Sequence, residues 1–288
     1  MSISRQNLSV VIVTLKSEKI INRCIDSIGH NIPIIVVENS NNQKFKSDLE
    51  SKYRNLKCIL SGSNLGMGAG NNIGIKAANT DYIFILNPDV TLEKDTLDRI
   101  FEASKKVSEF SILSPINSDK KFPNFINKKD IKNQTDPFEV DYIDGFSMLL
   151  NKNKFKDGNF FDESFFLYLE NDDLCIRTKK NGGLIYIIPE AKINHDGSKT
   201  VDEKYKNEIE ISRNWHWIWS KFYFNKKNYG FFKAMTECLP TYISSLFKYL
   251  FYFLVKNDFK KKIYFNRASG FYNALLGKSS WYRPNFNN

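Results

Sequence analysis

SVVIVTL, Ser9 to Leu15, holds five consecutive β-branched residues, Val10 to Thr14. Such side chains are stiff at χ1 and fit a pleated surface better than a helix. No polar residue alternates with them, so the predicted strand is buried on both faces, as in a parallel sheet covered by helices. Directly downstream, Ile20, Ile21, Cys24, Ile25 and Ile28 recur at helical spacing, and Gly29 is placed to stop that helix. The rhythm continues through PIIVVE (Pro33–Glu38), a polar helix near Lys44–Tyr53 and KCILS (Lys57–Ser61). A Gly/Asn-rich turn, a helix through Ala77, the strand DYIFIL (Asp81–Leu86) and a helix over Glu93–Val107 follow. Strands separated by helices predict an α/β fold with a mostly parallel central sheet flanked by helices.

After Ile112 the pattern changes. Lys120–Gln134 is polar and rich in Lys and Asn, and reads as a mobile loop. VDYIDGFSMLL (Val140–Leu150) predicts a strand, Asp172–Lys180 a helix and LIYIIPE (Leu184–Glu190) another strand. That helix has acids at its start, Lys179 and Lys180 at its end, then Asn181 and Gly182, which suits the macrodipole and the C-cap. From about Asp202 the chain reads as helical and aromatic. The predicted organisation is a domain over 1–205 followed by a C-terminal helical region over 206–288.

The chain's 288 residues are 42% hydrophobic, enough for a core and against global disorder. Its four cysteines are scattered, without a C-x-x-C pair, which argues against a disulfide framework or a structural zinc site. SVVIVTL is too short for a signal peptide, and a cytoplasmic location is expected. The net charge of +10 is unevenly placed: Ile211–Asn288 carries 13 basic and 2 acidic residues, leaving 29 basic against 30 acidic before it. A near-neutral body with a basic, aromatic tail suggests an anionic surface as the tail's partner, with nucleic acid the weaker choice.

Four features could carry chemistry. Asp89, in ILNPDV, follows an apolar strand, at the edge where open α/β sheets bind ligands; Asn-Pro-Asp is also good turn chemistry. SNLGMGAGNNIG (Ser63–Gly74) is G-x-G-x-G rather than a dinucleotide fingerprint, and its glycines allow close approach of backbone to a ligand or to the sheet. His195 follows a strand in INHDGS, and gains weight only if it meets Asp89. Glu38 ends the second strand, where it could accept hydrogen bonds from a nucleoside or cap the next turn. To these LYLENDDLC (Leu167–Cys175) adds Glu170, Asp172 and Asp173, crowded around Asn171. Like charges so close repel unless they face water or a cation.

VVIVTLKSEKIINRCIDSI, VVENSNN, NLGMGAGNNIGIKAA, DYIFILNPDV, DGFSMLL, FFDESFFLYLENDDLCIR and IPEAKINHDGS occur in an order that resembles bacterial family 2 glycosyltransferases. The pattern is similar to the rhamnosyltransferase-type members, over Ser9–Ser198, with a looser match in SRNWHWIWSKFYFNKKNYG. The resemblance implies a GT-A fold and an inverting transferase in cell-surface polysaccharide synthesis. It implies a dTDP- or UDP-linked sugar as donor and a glycan or lipid-linked glycan as acceptor. Thr14, Glu38, Asn64, Gly66, Asn71, Asn87 and Asp89 match donor-binding positions, and Asp144 and Gly145 the acceptor side. Asp89 and His195 match the metal site, for Mn²⁺ or Mg²⁺. Oxygen ligands suit both ions and the imidazole leans toward manganese. The family's acidic motif is commonly E-D-x-D, its second residue the general base. Here Asn171 stands there, and a carboxamide cannot take a proton. The base is therefore expected among Glu170, Asp172 and Asp173, with Glu170 favoured for reach.

Two rivals are a GT-A nucleotidyltransferase and a non-catalytic membrane or nucleotide binder. The first needs a Gly-rich loop after the first strand, where this chain has TLKSEK. In the tail, KYLFYFLVKNDFKKK (Lys248–Lys262) sets aromatics beside lysines, as in a helix lying in a membrane interface. Glu237, Pro240 and Lys248 interrupt Met235–Val255 too often for a span. Peripheral membrane contact and simple packing on the catalytic domain are both compatible with it.

Overall fold

The computed structural model describes residues 2–126, 134–197 and 203–286. The β-branched run forms β1 (Leu8–Thr14), with all seven residues buried. The elements that follow are α1 (Ile21–Ile28), β2 (Ile34–Glu38), α2 (Gln43–Lys52), β3 (Leu56–Leu60), α3 (Met67–Ala77), β4 (Tyr82–Leu86), β5 (Val90–Leu92), α4 (Thr96–Lys106) and β6 (Phe110–Asn117). Next come β7 (Phe125–Ile126), β8 (Phe138–Glu139), β9 (Tyr142–Ile143), β10 (Ser147–Asn151), α5 (Glu170–Lys180) and β11 (Leu184–His195). Three long helices close the chain: α6 (Lys206–Tyr229), α7 (Phe231–Leu254) and α8 (Asp258–Leu275). Helix α1 ends as its sequence predicts, at Gly29 with φ +85.

Among the described residues a nine-stranded sheet runs β3-β2-β1-β4-β10-β6-β11-β5, with β8 also on β11. β3, β2, β1 and β4 pair in parallel, and β6 pairs in parallel with β11. β10 is antiparallel to both β4 and β6, and β5 and β8 are antiparallel to β11. Six of these nine strands thus share one direction. Helix α3 reaches the sheet through its glycines: a Cβ on Gly70 would lie 2.9 Å from Val13 Cγ1, and one on Gly74 2.4 Å from Val11 Cγ1. These two glycines therefore serve helix–sheet packing, one of the two uses that the Gly-rich stretch allows.

Some expectations need correction. Val140–Leu150 is two strands rather than one. The turn at Asp144–Phe146 separates β9, which joins β7 in a ribbon of its own, from β10 in the main sheet. β5 and β6 were not expected, and β11 runs five residues beyond Glu190. Of the polar stretch Lys120–Gln134, residues 127–133 lie outside the described residues, and Phe125–Ile126 is strand rather than loop.

The chain divides into two compact units. One comprises Met1–Leu65, Ala69–Phe161 and Leu174–Val201; the other comprises Gly66–Gly68, Asp162–Asp173 and Asp202–Asn288. In the first, apolar residues of β1, β2 and β4, such as Val10, Ile12, Val36 and Phe84, pack with Ile21, Cys24 and Ile25 of α1. In the second, α6, α7 and α8 share a core of Trp215, Ile218, Trp219, Phe222, Ala234, Cys238 and Phe271. The short segment Asp162–Asp173 is tied to α6 by Ser220 Oγ donating to Leu167 O at 2.8 Å and Tyr223 Oη donating to Asp162 at 3.0 Å.

Candidate functional site

In the first unit the candidate residues gather where parallel strands end. Thr14 and Glu38 are register partners at the carboxyl ends of β1 and β2, and β4 stops at Leu86, opposite Ile12. The chain then turns through Asn87, Pro88 and Asp89, closed by Val90 N–H donating to Asn87 O at 3.1 Å. Asp89 is thus both a turn residue and a buried carboxylate, its side chain 3% exposed. β11 pairs with β5 so that His195 lies opposite Val90. This brings His195 Nε2 to 3.4 Å from Asp89 Oδ1, the meeting that spacing alone could not show.

Neighbours hold this pair in place. The Phe146 ring stacks on His195 at 4.0 Å and 20°, and Phe146 O accepts from Asn87 N–H at 2.9 Å. Asp196 N–H donates to Asp89 O at 3.1 Å, and the Asp196 carboxylate pairs with Arg23 at 2.8 Å. Cys24 donates to Asn87 O at 3.6 Å; burial and the nearby Asp89 charge push its thiol far above the ordinary range, so it stays protonated.

Thr14 Oγ1, Asn71 Oδ1 and Asn87 Oδ1 are buried without a hydrogen-bond partner, and Asp89 Oδ1, which makes no hydrogen bond either, faces only the His195 contact at 3.4 Å. An unmet buried polar atom costs about 1–3 kcal/mol, so native proteins rarely leave several near one edge without an ion, water or ligand to satisfy them. Asn117 Oδ1 and Thr178 Oγ1, elsewhere in the same unit, share this property.

Glu38 is fully buried and its carboxylate is already engaged. Oε1 accepts from Ser40 N–H (2.8 Å) and Ser40 Oγ (2.5 Å), and Oε2 from Asn42 N–H (2.6 Å). The carboxylate thereby caps the turn that follows β2. Asn64 is half-buried. Asp144 accepts from Tyr142 Oη at 2.6 Å, and Gly145 lies in the turn ahead of β10.

In the second unit the crowded acids sort themselves. Asp173 is 0% exposed and held by Lys227 Nζ (2.9 Å) and Asn228 Nδ2 (3.3 Å). Lys227 also bonds Asp162 at 2.7 Å, so one ammonium serves two carboxylates. Burial works against the Lys227 charge, yet these two partners hold its pKa above the usual lysine value. These contacts fix the Asp173 carboxylate between Lys227 and Asn228. Asp172 is partly exposed and Asn171 is buried.

Glu170, at the first position of α5, differs from both: its Oε2 is buried and has no hydrogen-bond partner. Burial raises its pKa from 4.5 to about 7; its own backbone N–H opposes the shift and the Asp172 charge adds to it. Tyr168 and Leu169, directly before it, both have left-handed backbones, φ +73 and +67. In the same unit Gly66 has φ +86, and a Cβ there would lie 2.1 Å from Phe166 O, so only glycine fits.

The sequence profile of glycosyl transferase family 2 matches residues 9–172, more than half of the chain. The chain belongs to glycosyl transferase family 2. This family 2 glycosyltransferase is 24% identical, over 72% of its own length and 69% of the relative's, to the low-salt glycan biosynthesis hexosyltransferase Agl10 of Haloferax volcanii. It is 27% identical to the rhamnosyltransferase WbbL of Escherichia coli K12, covering 62% of this chain and 80% of that one. It is 22% identical to the N-acetylglucosaminyl-diphospho-decaprenol L-rhamnosyltransferase of Mycobacterium tuberculosis, covering 65% and 75%. Among solved structures, Staphylococcus aureus TarS 1-349 in complex with UDP-GlcNAc superposes with a TM-score of 0.55 at 16% identity, over 96% of this chain and 93% of that one. The fold is therefore GT-A, and the glycosyltransferase family sets aside the nucleotidyltransferase and non-catalytic alternatives.

The candidate residues were legible in the sequence as types, but the side chains that support them were not. Phe146 was visible only as part of DGFSMLL. Lys227 sits in the pair Lys226–Lys227, which reads as ordinary solvated charge.

Proposed function

We propose that this glycosyltransferase moves a hexose, rhamnose or a similar sugar, from a dTDP- or UDP-linked donor to a hydroxyl of a glycan or lipid-linked glycan, with inversion and with Glu170 as general base. One observation carries the assignment of the base: Glu170 has a buried, unpartnered oxygen and a pKa raised to about 7, whereas the Asp173 carboxylate is engaged by Lys227 and Asn228. A base half-ionised near working pH accepts a proton in the transition state and is worth about 10²–10⁴-fold in rate.

The acceptor oxygen attacks the anomeric carbon and its proton passes to Glu170. The bond from that carbon to the diphosphate oxygen breaks, and the electron pair leaves with the nucleoside diphosphate. A single displacement of this kind inverts the configuration.

Thr14, Asn71 and Asn87, with their unmet buried oxygens, are assigned to the donor. Glu38 is assigned to shaping the turn beside it. Asp89 and His195 would hold a divalent cation. Among the described residues no three His, Cys, Asp or Glu converge, but magnesium and manganese sites often take only one or two protein ligands, with phosphates and water completing the shell. Neighbouring ligands of an octahedral ion lie about 3 Å apart, close to the 3.4 Å seen here. Such an ion, when bound, supplies neutralisation of the departing diphosphate.

The donor class is supported by the relatives' names and by the UDP-GlcNAc complex of TarS; the lipid-linked acceptor is supported by the mycobacterial relative. Thermal-shift measurements with UDP, dTDP and their sugars, with and without Mn²⁺, test the proposal. Metal-dependent stabilisation by one nucleotide diphosphate is expected; none by any of them would overturn it.

A further inference from the structure

Helix α7 wears its amphipathicity inside out. Phe232, Leu239, Ile243, Phe247, Leu250 and Leu254 follow one another at intervals of seven, four, four, three and four, which places them on one stripe. They are 37% to 86% exposed. The face buried in the helical bundle is instead lined by the small residues Ala234, Cys238 and Ser245. A solitary exposed leucine needs no explanation, but a continuous stripe of phenylalanine, leucine and isoleucine marks a surface built to be covered.

The rim of this stripe identifies what covers it. Lys248, Lys256, Lys260 and Lys262 are exposed around the C-terminal end of α7 and the start of α8. Lys260 lies 5.2 Å over the Tyr252 ring and Lys248 5.3 Å over Tyr264, so aromatic surface and ammonium groups alternate there. From Phe231 to Leu275 the chain has seven basic and two acidic residues. Among the described residues no helix is long and apolar enough to cross a membrane.

We infer that α7 and the start of α8 form a docking surface for an anionic lipid bilayer, with the apolar stripe lying in the interface and the lysines at the head groups. A helix with one apolar face and a lysine-rich border has the chemistry of such a surface. A second copy of the chain fits less well, because self-pairing along this stripe sets its basic borders against each other. The inference stands apart from the reaction, since it uses none of the residues assigned to chemistry.

Flotation of the full chain with vesicles tests it. Binding to phosphatidylcholine vesicles containing phosphatidylglycerol is expected, with much weaker binding to phosphatidylcholine alone. Each lysine at an anionic surface contributes roughly fivefold in affinity, so K248Q/K260Q/K262Q should lose about a hundredfold. Phe247→Ser with Leu254→Ser should lose binding to both vesicle types, while circular dichroism shows unchanged helix content because both side chains are exposed. Failure of the wild-type chain to float with anionic vesicles would overturn the inference. So would equal flotation of the lysine variant, or a dimer in light scattering that the serine pair dissociates without any vesicle binding.

Discussion

Replacing Glu170 by Gln should stabilise the protein while removing its activity. The folded-state pKa of about 7 lies above the ordinary 4.5. Between those values the native state keeps a proton that the unfolded chain has released, so stability falls as pH rises and levels off above pH 7. The full displacement corresponds to about 3 kcal/mol, of which about 2.5 kcal/mol falls between pH 5 and pH 8. Glutamine copies the neutral form and cannot ionise, so the variant should lack this slope. Urea unfolding followed by tryptophan fluorescence is the natural assay. Trp215, Trp217, Trp219 and Trp281 all belong to the unit that contains Glu170. The expected result is that Glu170→Gln gains about 2–3 kcal/mol over wild type on going from pH 5 to pH 8, and that wild-type turnover rises with pH through about 7. Parallel pH dependences for the two proteins would refute the burial argument. Wild-type turnover in Glu170→Gln would refute the base assignment.

Other outcomes follow from the same geometry. Lys227→Met leaves Asp173 buried and uncompensated, and should cost about 3 kcal/mol or more in urea unfolding, with Lys227→Met/Asp173→Leu recovering much of the loss. Asp89→Ala should abolish transfer and the Mn²⁺-dependent part of any thermal shift caused by a nucleotide diphosphate. Gly74→Ala forces a Cβ to 2.4 Å from Val11 Cγ1 and should lower stability by about 1–3 kcal/mol, measured by circular dichroism on heating.

The first half of the fold was legible because β1, β2 and β4 are continuous apolar runs, a pattern that survives without tertiary context. β5 is three residues long, and β6 carries Pro115 and two serines, so neither shows a period of its own. Asp144–Phe146 looked like strand because its neighbours on both sides are strand residues; the turn is set by Asp144 N–H bonding Asn124 O, a contact across twenty residues. The candidate site was legible as a set of chemical types. Its pairings were not, because His195 reaches Asp89 only through β11 lying on β5. Asp173 and Glu170 differ because Lys227 and Asn228 come back to the first, whereas an oxygen of the second is buried without a hydrogen-bond partner.

Tyr168 and Leu169 carry a consequence for how this protein would respond to selection. Each sits in a left-handed backbone that costs an ordinary L-residue about 1–2 kcal/mol, and the next residue is a carboxylate with an unpartnered buried oxygen. Three successive positions thus work against stability just where the proposed base stands. A laboratory selection for heat resistance alone should therefore find early gains here, with glycine or asparagine at 169 and glutamine at 170. Such variants would be sturdier and catalytically poorer, whereas selection for turnover would preserve the strain.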